Sequence, residues 1–389
     1  MMMNKYIWEE LKRIIIKKKS SIVIILMITV IFGLASTLKT NTLDVQIQKD
    51  KELLNIQKMG RDKAASQFKK ADFSRDIIGT EKEIKDKEEQ LNEINNYDRS
   101  KLGEQIQKLE KENNPENEYK ILQLKYEKKY NIEKSELIPK GMYSAMEILA
   151  YFIPMFFLLI LIVFLSDIVS GDYSANTIKN LVTKPISRKK IIMSKFAASM
   201  ILSAGTLILS TIIFIVEAGI HLGLSDHRLP FDVGAKYVMD KSITLTPITS
   251  QMKYVDGSRS IIPLWSAIIE LVLIAIIISM AIISIVLFIS VFCRNSLVSS
   301  LVSFILIGGT VVWYLFGFAG RYVVSAKYGA FVKFLPVPYI ADAVGTLSGD
   351  ISVQLTSTVN VFFVLMICLA WTLAMLFLSG YVFGKRDFD

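Results

Sequence analysis

The sequence predicts an all-α polytopic membrane protein: six transmembrane helices, with an extracytoplasmic helical, coiled-coil-like insertion between the first and second. Three observations carry this expectation. Hydrophobic residues make up 52% of the 389 and gather into six runs, 22–38, 148–165, 196–222, 261–292, 297–317 and 359–383, at or above the length a helix needs to cross a hydrocarbon core. Lysines and arginines concentrate in alternate connections between those runs. The hundred residues after the first run are highly charged and almost free of Gly and Pro, a composition that favours long exposed helices.

Taken in order, residues 1–20 predict a cytosolic amphipathic helix. Ile7, Leu11 and Ile14 share one face at i, i+4, i+7, while Glu9, Glu10, Lys12 and Arg13 are polar; the pattern suits a helix lying in the membrane interface, or a plain basic anchor for the first span. Residues 21–38 form that span. The string KKKSS, the apolar stretch 22–32 and Gly33-Leu34-Ala35 also resemble a secretory signal. The apolar run nevertheless continues to Leu38, and cleavage would leave five spans with basic segments on opposite sides, so an uncleaved anchor is expected.

Residues 39–145 predict an extracytoplasmic helical domain. Ile77, Ile84 and Leu91 repeat at seven, Leu102 and Leu109 keep that spacing, and Tyr119, Leu122 and Tyr126 follow after Asn113-Asn114-Pro115, giving a helical hairpin or stalk. Thr80 and Lys87 weaken the intermediate heptad positions, which leaves a solvated charged spacer as the alternative. Residues 146–389 hold five further spans. The run 261–292 is long for one crossing and implies tilt or projection. Of the outer loops, 223–260 carries β-branched residues at 242–250 and an Asp256-Gly257 turn pair, reading as a small irregular or hairpin cap. Loop 319–358 keeps Phe331-Val332 and Phe334-Leu335 beside Pro336 and Pro338 and reads either as a re-entrant segment or as an ordinary surface loop.

Orientation follows the basic residues. Lys12, Arg13 and Lys17–Lys19 precede the first span; Lys184, Arg188, Lys189 and Lys190 lie between the second and third; Arg294 sits between the fourth and fifth; Lys385 and Arg386 follow the sixth. All fall on one side if every run crosses once, so both termini are expected in the cytosol and the protein in the cell membrane. The net charge of +9 sits mostly at that face, where it meets membrane lipids, and gives no reason to expect nucleic acid.

Chemistry is sparse. Gly380-Tyr-Val-Phe-Gly384-Lys385-Arg386 falls one residue short of a phosphate loop, lacks its hydroxyl and has no helix to follow. His221 and His227 bracket Asp226 without metal-site spacing, and Cys293 and Cys368 read as packing residues. No catalytic grouping, resident cofactor or metal site is expected. Glu217 and Glu270 lie within apolar runs, where a charge costs about 2.5–3.5 kcal/mol; they are either satisfied near the outer ends of their spans or candidates to line an outward substrate vestibule.

The segment 172–195, DYSANTIKNLVTKPISRKKIIMSK, is polar, basic and helix-prone between two apolar runs. Thr177 can cap a short helix and Pro185 end it. Its order of Asp172, Thr177, Leu181-Val182, Pro185-Ile186-Ser187-Arg188 and Lys195 resembles the cytosolic loop of ABC type-2 permeases. There an acid precedes Gly-Thr, two leucines, Pro-[VI]-Ser-Arg and a Lys entering the third span. Asn176 stands here where that family usually has Gly, and Asp172 where Glu is commoner.

The resemblance implies a permease subunit of an ATP-driven exporter. Two permease chains, alike or different, would pair; each loop, within 166–195, would pack as a coupling helix on one of two copies of a separate ABC ATPase subunit. ATP and magnesium would bind on that partner, and substrate would move outward by alternating access. From the residues alone, a membrane-anchored sensor or scaffold binding a ligand through the outer helices is the alternative. A secondary transporter would need internal repeats, and none is visible.

Overall fold

The computed structural model describes residues 2–16, 28, 33, 43–63, 67–112, 114, 117–174, 187–243, 251–316 and 330–386. The expected first span, 22–38, lies outside them apart from Ile28 and Gly33. Five helices among the described residues are long and apolar enough to cross a membrane: Lys134–Tyr173, Arg188–Leu222, Leu264–Phe292, Ser296–Tyr314 and Val361–Lys385. They correspond to the second to sixth runs of the sequence.

Helix α1 (Met2–Ile16) precedes the insertion. Helices α2 (Leu43–Lys63) and α3 (Gln67–Asn95) then lie side by side. Asp50–Lys87, Lys51–Glu88 and Lys58–Glu81 pair across them at 2.6, 2.6 and 2.9 Å, so the two run antiparallel. Ile77 and Ile84 are buried as their spacing predicts. The weak heptad positions are resolved by polar means: the Thr80 hydroxyl donates to the Asp76 carbonyl at 3.0 Å, and Lys87 reaches Asp50. Helices α4 (Leu102–Glu112) and α5 (Glu118–Tyr130) follow and enclose Leu102, Ile106 and Leu124. A second small core joins Leu43, Ile47, Ile94, Tyr126, Ile132 and Leu137, closing the root of the insertion.

The second span is α6 (Gly141–Phe152), a π turn at Ile153–Phe157, and α7 (Leu158–Leu165). Pro154 lies in that turn; lacking an N–H and carrying a ring that crowds the preceding turn, it favours the wider geometry. The third span is α8 (Arg188–Leu222). A strand layer follows, with β1 (Pro230–Val233) antiparallel to β4 (Ser260–Pro263) and β2 (Tyr237–Met239) antiparallel to β3 (Met252–Tyr254). The β-branched stretch 242–250, which suggests a small irregular or hairpin cap, lies outside the described residues from 244 onward. Asp256-Gly257 forms the expected tight turn, between β3 and β4, with the Ser258 N–H donating to the Val255 carbonyl at 3.2 Å and Gly257 at φ +73°, a conformation that favours glycine.

The fourth span, α9 (Leu264–Phe292), is the centre of the bundle. It is apolar all round and correspondingly buried among the other spans. Its helix begins after β4, so the first residues of the run 261–292 belong to a strand. The fifth span is α10 (Ser296–Ser303), a π turn at Phe304–Gly308, and α11 (Gly309–Phe316). The two π turns face each other across an apolar cleft of about 390 Å³, lined by Pro154 and Met155 on one side and Phe304 and Gly308 on the other.

Three short helices precede the last span: α12 (Val337–Ala341), α13 (Ala343–Ser348) and α14 (Ile351–Leu355). The apolar Tyr339, Ile340 and Leu347 are buried, packed on α9 and the second span, and Asp342 caps α13 by accepting from Gly345 N–H at 2.7 Å. The last span, α15 (Val361–Lys385), completes the bundle.

The insertion, strand layer and short helices interlock at one end of the bundle. Tyr126 donates to the Arg228 carbonyl at 3.0 Å, and Gly234 and Ala235 N–H donate to the Leu347 and Ser348 carbonyls at 3.2 and 2.8 Å. Arg259 stacks over Tyr119 and Tyr254 while pairing with Asp232 at 3.4 Å and Asp350 at 3.7 Å. Asp226, fully buried, accepts from Lys140, Met142 and Tyr143 N–H at 2.7, 3.1 and 2.9 Å. It caps α6 from a loop more than eighty residues away, and no cluster of three metal-ligating side chains occurs among the described residues.

Candidate functional site

At the opposite end of the bundle, α1 lies against the start of α8. Ile14 is buried, with Ile7 and Leu11 partly so, all against the core of the spans. The apolar stripe expected at a membrane interface therefore packs on protein. Trp8, Ile15 and Ile16 are exposed apolar side chains of this helix, and Lys12 lies 5.4 Å above the Trp8 ring. Glu10 sits on the buried stripe, three residues after Ile7 and four before Ile14, and is carried inward with it.

Glu10 meets a cation there. Lys195, fully buried on α8, places Nζ 3.2 Å from Glu10 Oε2 and 3.0 Å from Asp172 Oδ2. Arg13 pairs with Glu10 at 2.8 Å and also with Asp172. Both cations donate to one acceptor, the Ile168 carbonyl, each at 3.0 Å. Two acids and two bases thus close a square around the end of the second span. Burial works against the Arg13 charge, but Glu10 and Asp172 outweigh it and hold its pKa above the ordinary value. In such a network the loss of one member strands a buried charge.

The chain can make this turn because serines satisfy its backbone. The second span leaves helical geometry after Leu165. The Ser290 hydroxyl then accepts from Val169 and Ser170 N–H at 3.0 and 3.1 Å, and Ser299 donates to the Ser166 carbonyl. A one-turn helix, Ser170–Ser174, carries Asp172 into the square.

Of the motif residues read from sequence, the structure brings Asp172 and Lys195 together. Arg188, at the start of α8, donates through Nη1 to the Gly384 and Arg386 carbonyls at 2.9 Å each. Arg386 in turn donates to the Val291 and Phe292 carbonyls and stacks 4.9 Å from the Tyr173 ring. These arginines sit on the carbonyl-rich ends of helices, where cations are favoured. Thr177, Leu181 and Pro185 lie outside the described residues. Glu217 lies 3.6 Å from His221 and Glu270 accepts from Ser266 at 3.5 Å, each a partner one turn away on its own helix. No hydrogen bond or ion pair joins the two glutamates among the described residues.

Glu10, Arg13 and Ser290 were not singled out by the sequence motif. The available signal was a carboxylate interrupting an apolar stripe with an arginine one turn later.

No curated protein matches the chain. Residues 6–388 match the model of a protein family described as ABC-2 family transporter protein, a match that takes in the square, the spans and the insertion together. The chain therefore belongs to the ABC-2 transporter family.

Proposed function

We propose that this chain is the permease subunit of an ATP-driven exporter, moving substrate outward by alternating access coupled to a separate ATPase subunit. The observation that supports it best is the closure of the two ends of the motif loop, Asp172 to Lys195, on the same square that holds Glu10 and Arg13. A force applied anywhere in the intervening loop reaches the end of the second span, the start of the third and α1 as one body. Residues 166–195 then act as the coupling element on the ATPase, which supplies ATP and magnesium. Two such chains pair, in the plasma membrane, with both termini and the square in the cytosol and the helical insertion outside. The chain itself hydrolyses nothing.

Coupling is tested with the permease co-purified with its ATPase in lipid nanodiscs. Asp172→Asn should leave ATP hydrolysis present but insensitive to substrate, with ATP-driven efflux from vesicles falling about tenfold or more. An ATPase that never co-purifies, or full efflux in a variant shown to lack the Asp172 charge, refutes the coupling reading. Sidedness is tested separately. Cysteines placed at Asp98 and Asp256 should react with an impermeant thiol reagent on intact cells, and one at Thr183 should not.

A further inference from the structure

The insertion borders a cavity away from the apolar spans. It measures about 500 Å³ and lies between the end of α3, α4 and α5, with Leu229 and Pro230 closing one side. Ile94, Leu124 and Leu137 give it an apolar floor, and Gln90, Gln105 and Gln123 a rim of amides. That volume falls within the range of small-molecule sites, and the lining sets six apolar residues against a larger number of polar and charged ones.

One group in the cavity is out of place as structure. Glu127 on α5 lines it and is 5% exposed. The other charged side chains of the lining have company: Glu93 pairs with Lys120, while Glu112 accepts from Asn117 at 3.0 Å and stands one turn from Lys108 on α4. Among the described residues no hydrogen bond or ion pair reaches the Glu127 carboxylate. Burial pushes it up to about 7, with Lys120 lowering it and Glu93 raising it. A largely buried carboxylate that accepts no hydrogen bond among the described residues is costly, and a ligand offsets that cost by bringing a positive charge and N–H donors.

The geometry points to a binding site in the insertion for a small organic cation, an ammonium or amidinium group carried on an apolar body. The cation meets Glu127, the body rests on Ile94, Leu124 and Leu137, and the amide rim closes over it. A metal ion is a poor fit: Glu93, Glu112 and Glu127 share the lining with Lys108 and Lys120, and no group of three side chains able to hold a metal occurs among the described residues. The site stands independently of the coupling between the spans and an ATPase.

The test is equilibrium binding of benzamidine, and of its neutral isostere benzamide, to the full-length protein in nanodiscs at pH 6 and pH 8. The groups facing Glu127 are Glu93 and Tyr97 from the α3 side, Lys108 and Glu112 from α4, and Lys120 from α5; burial pushes the Tyr97 phenol up to about 12, outside the window. A carboxylate titrating near 7 goes from roughly one-tenth to nine-tenths ionised across it, so benzamidine should bind about tenfold more tightly at pH 8. Benzamide should bind at least tenfold more weakly than benzamidine at pH 8.

Glu127→Gln should remove both the preference for the cation and its pH dependence. Gln105→Trp, which fills the cavity from α4 and keeps the carboxylate, should abolish binding of both probes and decides the matter if the first variant does not fold. Equal binding of the two probes, unchanged benzamidine binding in a folded Glu127→Gln or Gln105→Trp protein, or no binding at about 10 mM, each overturns the proposal.

Discussion

The helical hairpin and the square beneath α1 use the same materials, lysine and arginine against glutamate and aspartate, in opposite settings. Along the hairpin, Lys51–Glu88 and Lys58–Glu81 are bonded well, but each side chain is about half exposed. Water competes for such pairs and salt screens them, so each contributes about 0–1 kcal/mol. In the square, Lys195 is fully buried and Asp172 nearly so, and every acid touches both bases. The hairpin pairs can be lost one at a time. The square is cooperative, because no member can leave without stranding another.

The difference breaks most visibly at Lys195. Lys195→Met leaves two buried carboxylates with Arg13 as their shared cation and should cost about 3–5 kcal/mol, read as a large fall in the midpoint of thermal unfolding of the purified protein. Combining it with Glu10→Met should recover part of the loss. A double variant no better than the single one would show that the four charges do not act together.

Glu127 extends the comparison to a buried carboxylate that no ion pair or hydrogen bond reaches among the described residues. Its folded value of about 7 stands above the 4.5 of an ordinary carboxylate, so between those values the folded protein binds the extra proton. Stability is then fully present below about 4.5 and is lost as pH rises through 7, by about 3 kcal/mol in total. Glu127→Gln should flatten that slope in the insertion's unfolding as followed by hydrogen exchange. An unchanged slope would locate the titration elsewhere.

Asp226 supplies the case of a buried carboxylate satisfied by backbone alone. Asp226→Ala removes the acceptor for three N–H groups at the start of α6 and should cost about 2 kcal/mol, with faster amide exchange confined to 140–143. The smallest effect is expected at the hairpin: Lys51→Met should change stability by less than about 1 kcal/mol, and by less still in high salt. A larger loss there would mean that the hairpin pairs form a network after all.

Legibility in the sequence followed distance along the chain. The described spans were readable because each is a local run of apolar residues, and the burial of Ile77 and Ile84 because seven-residue spacing is a local signal. Asp226 carried none: its partners, Lys140, Met142 and Tyr143, belong to another part of the chain, and its neighbours His221 and His227 suggested a different chemistry. Lys87 looked like a flaw in a heptad because its partner Asp50 is on the other helix. At the site, Asp172 and Lys195 were found through a motif, whereas Glu10 and Arg13 were read as the polar side of an amphipathic helix. Helical spacing shows which residues share a face but not what covers it.

The facing π turns have a further geometric implication. Each holds one residue more than the α-helical path around it requires, with Leu158 N–H reaching back to the Ile153 carbonyl and Gly309 N–H to that of Phe304. Passing that surplus one place along the chain would re-phase the residue it crosses by about 100° and shift it along the axis by about 1.5 Å. The two spans therefore hold, opposite each other, points where such a shift would change the surface of the cleft, the one on the second span carrying Pro154, which donates no backbone hydrogen bond.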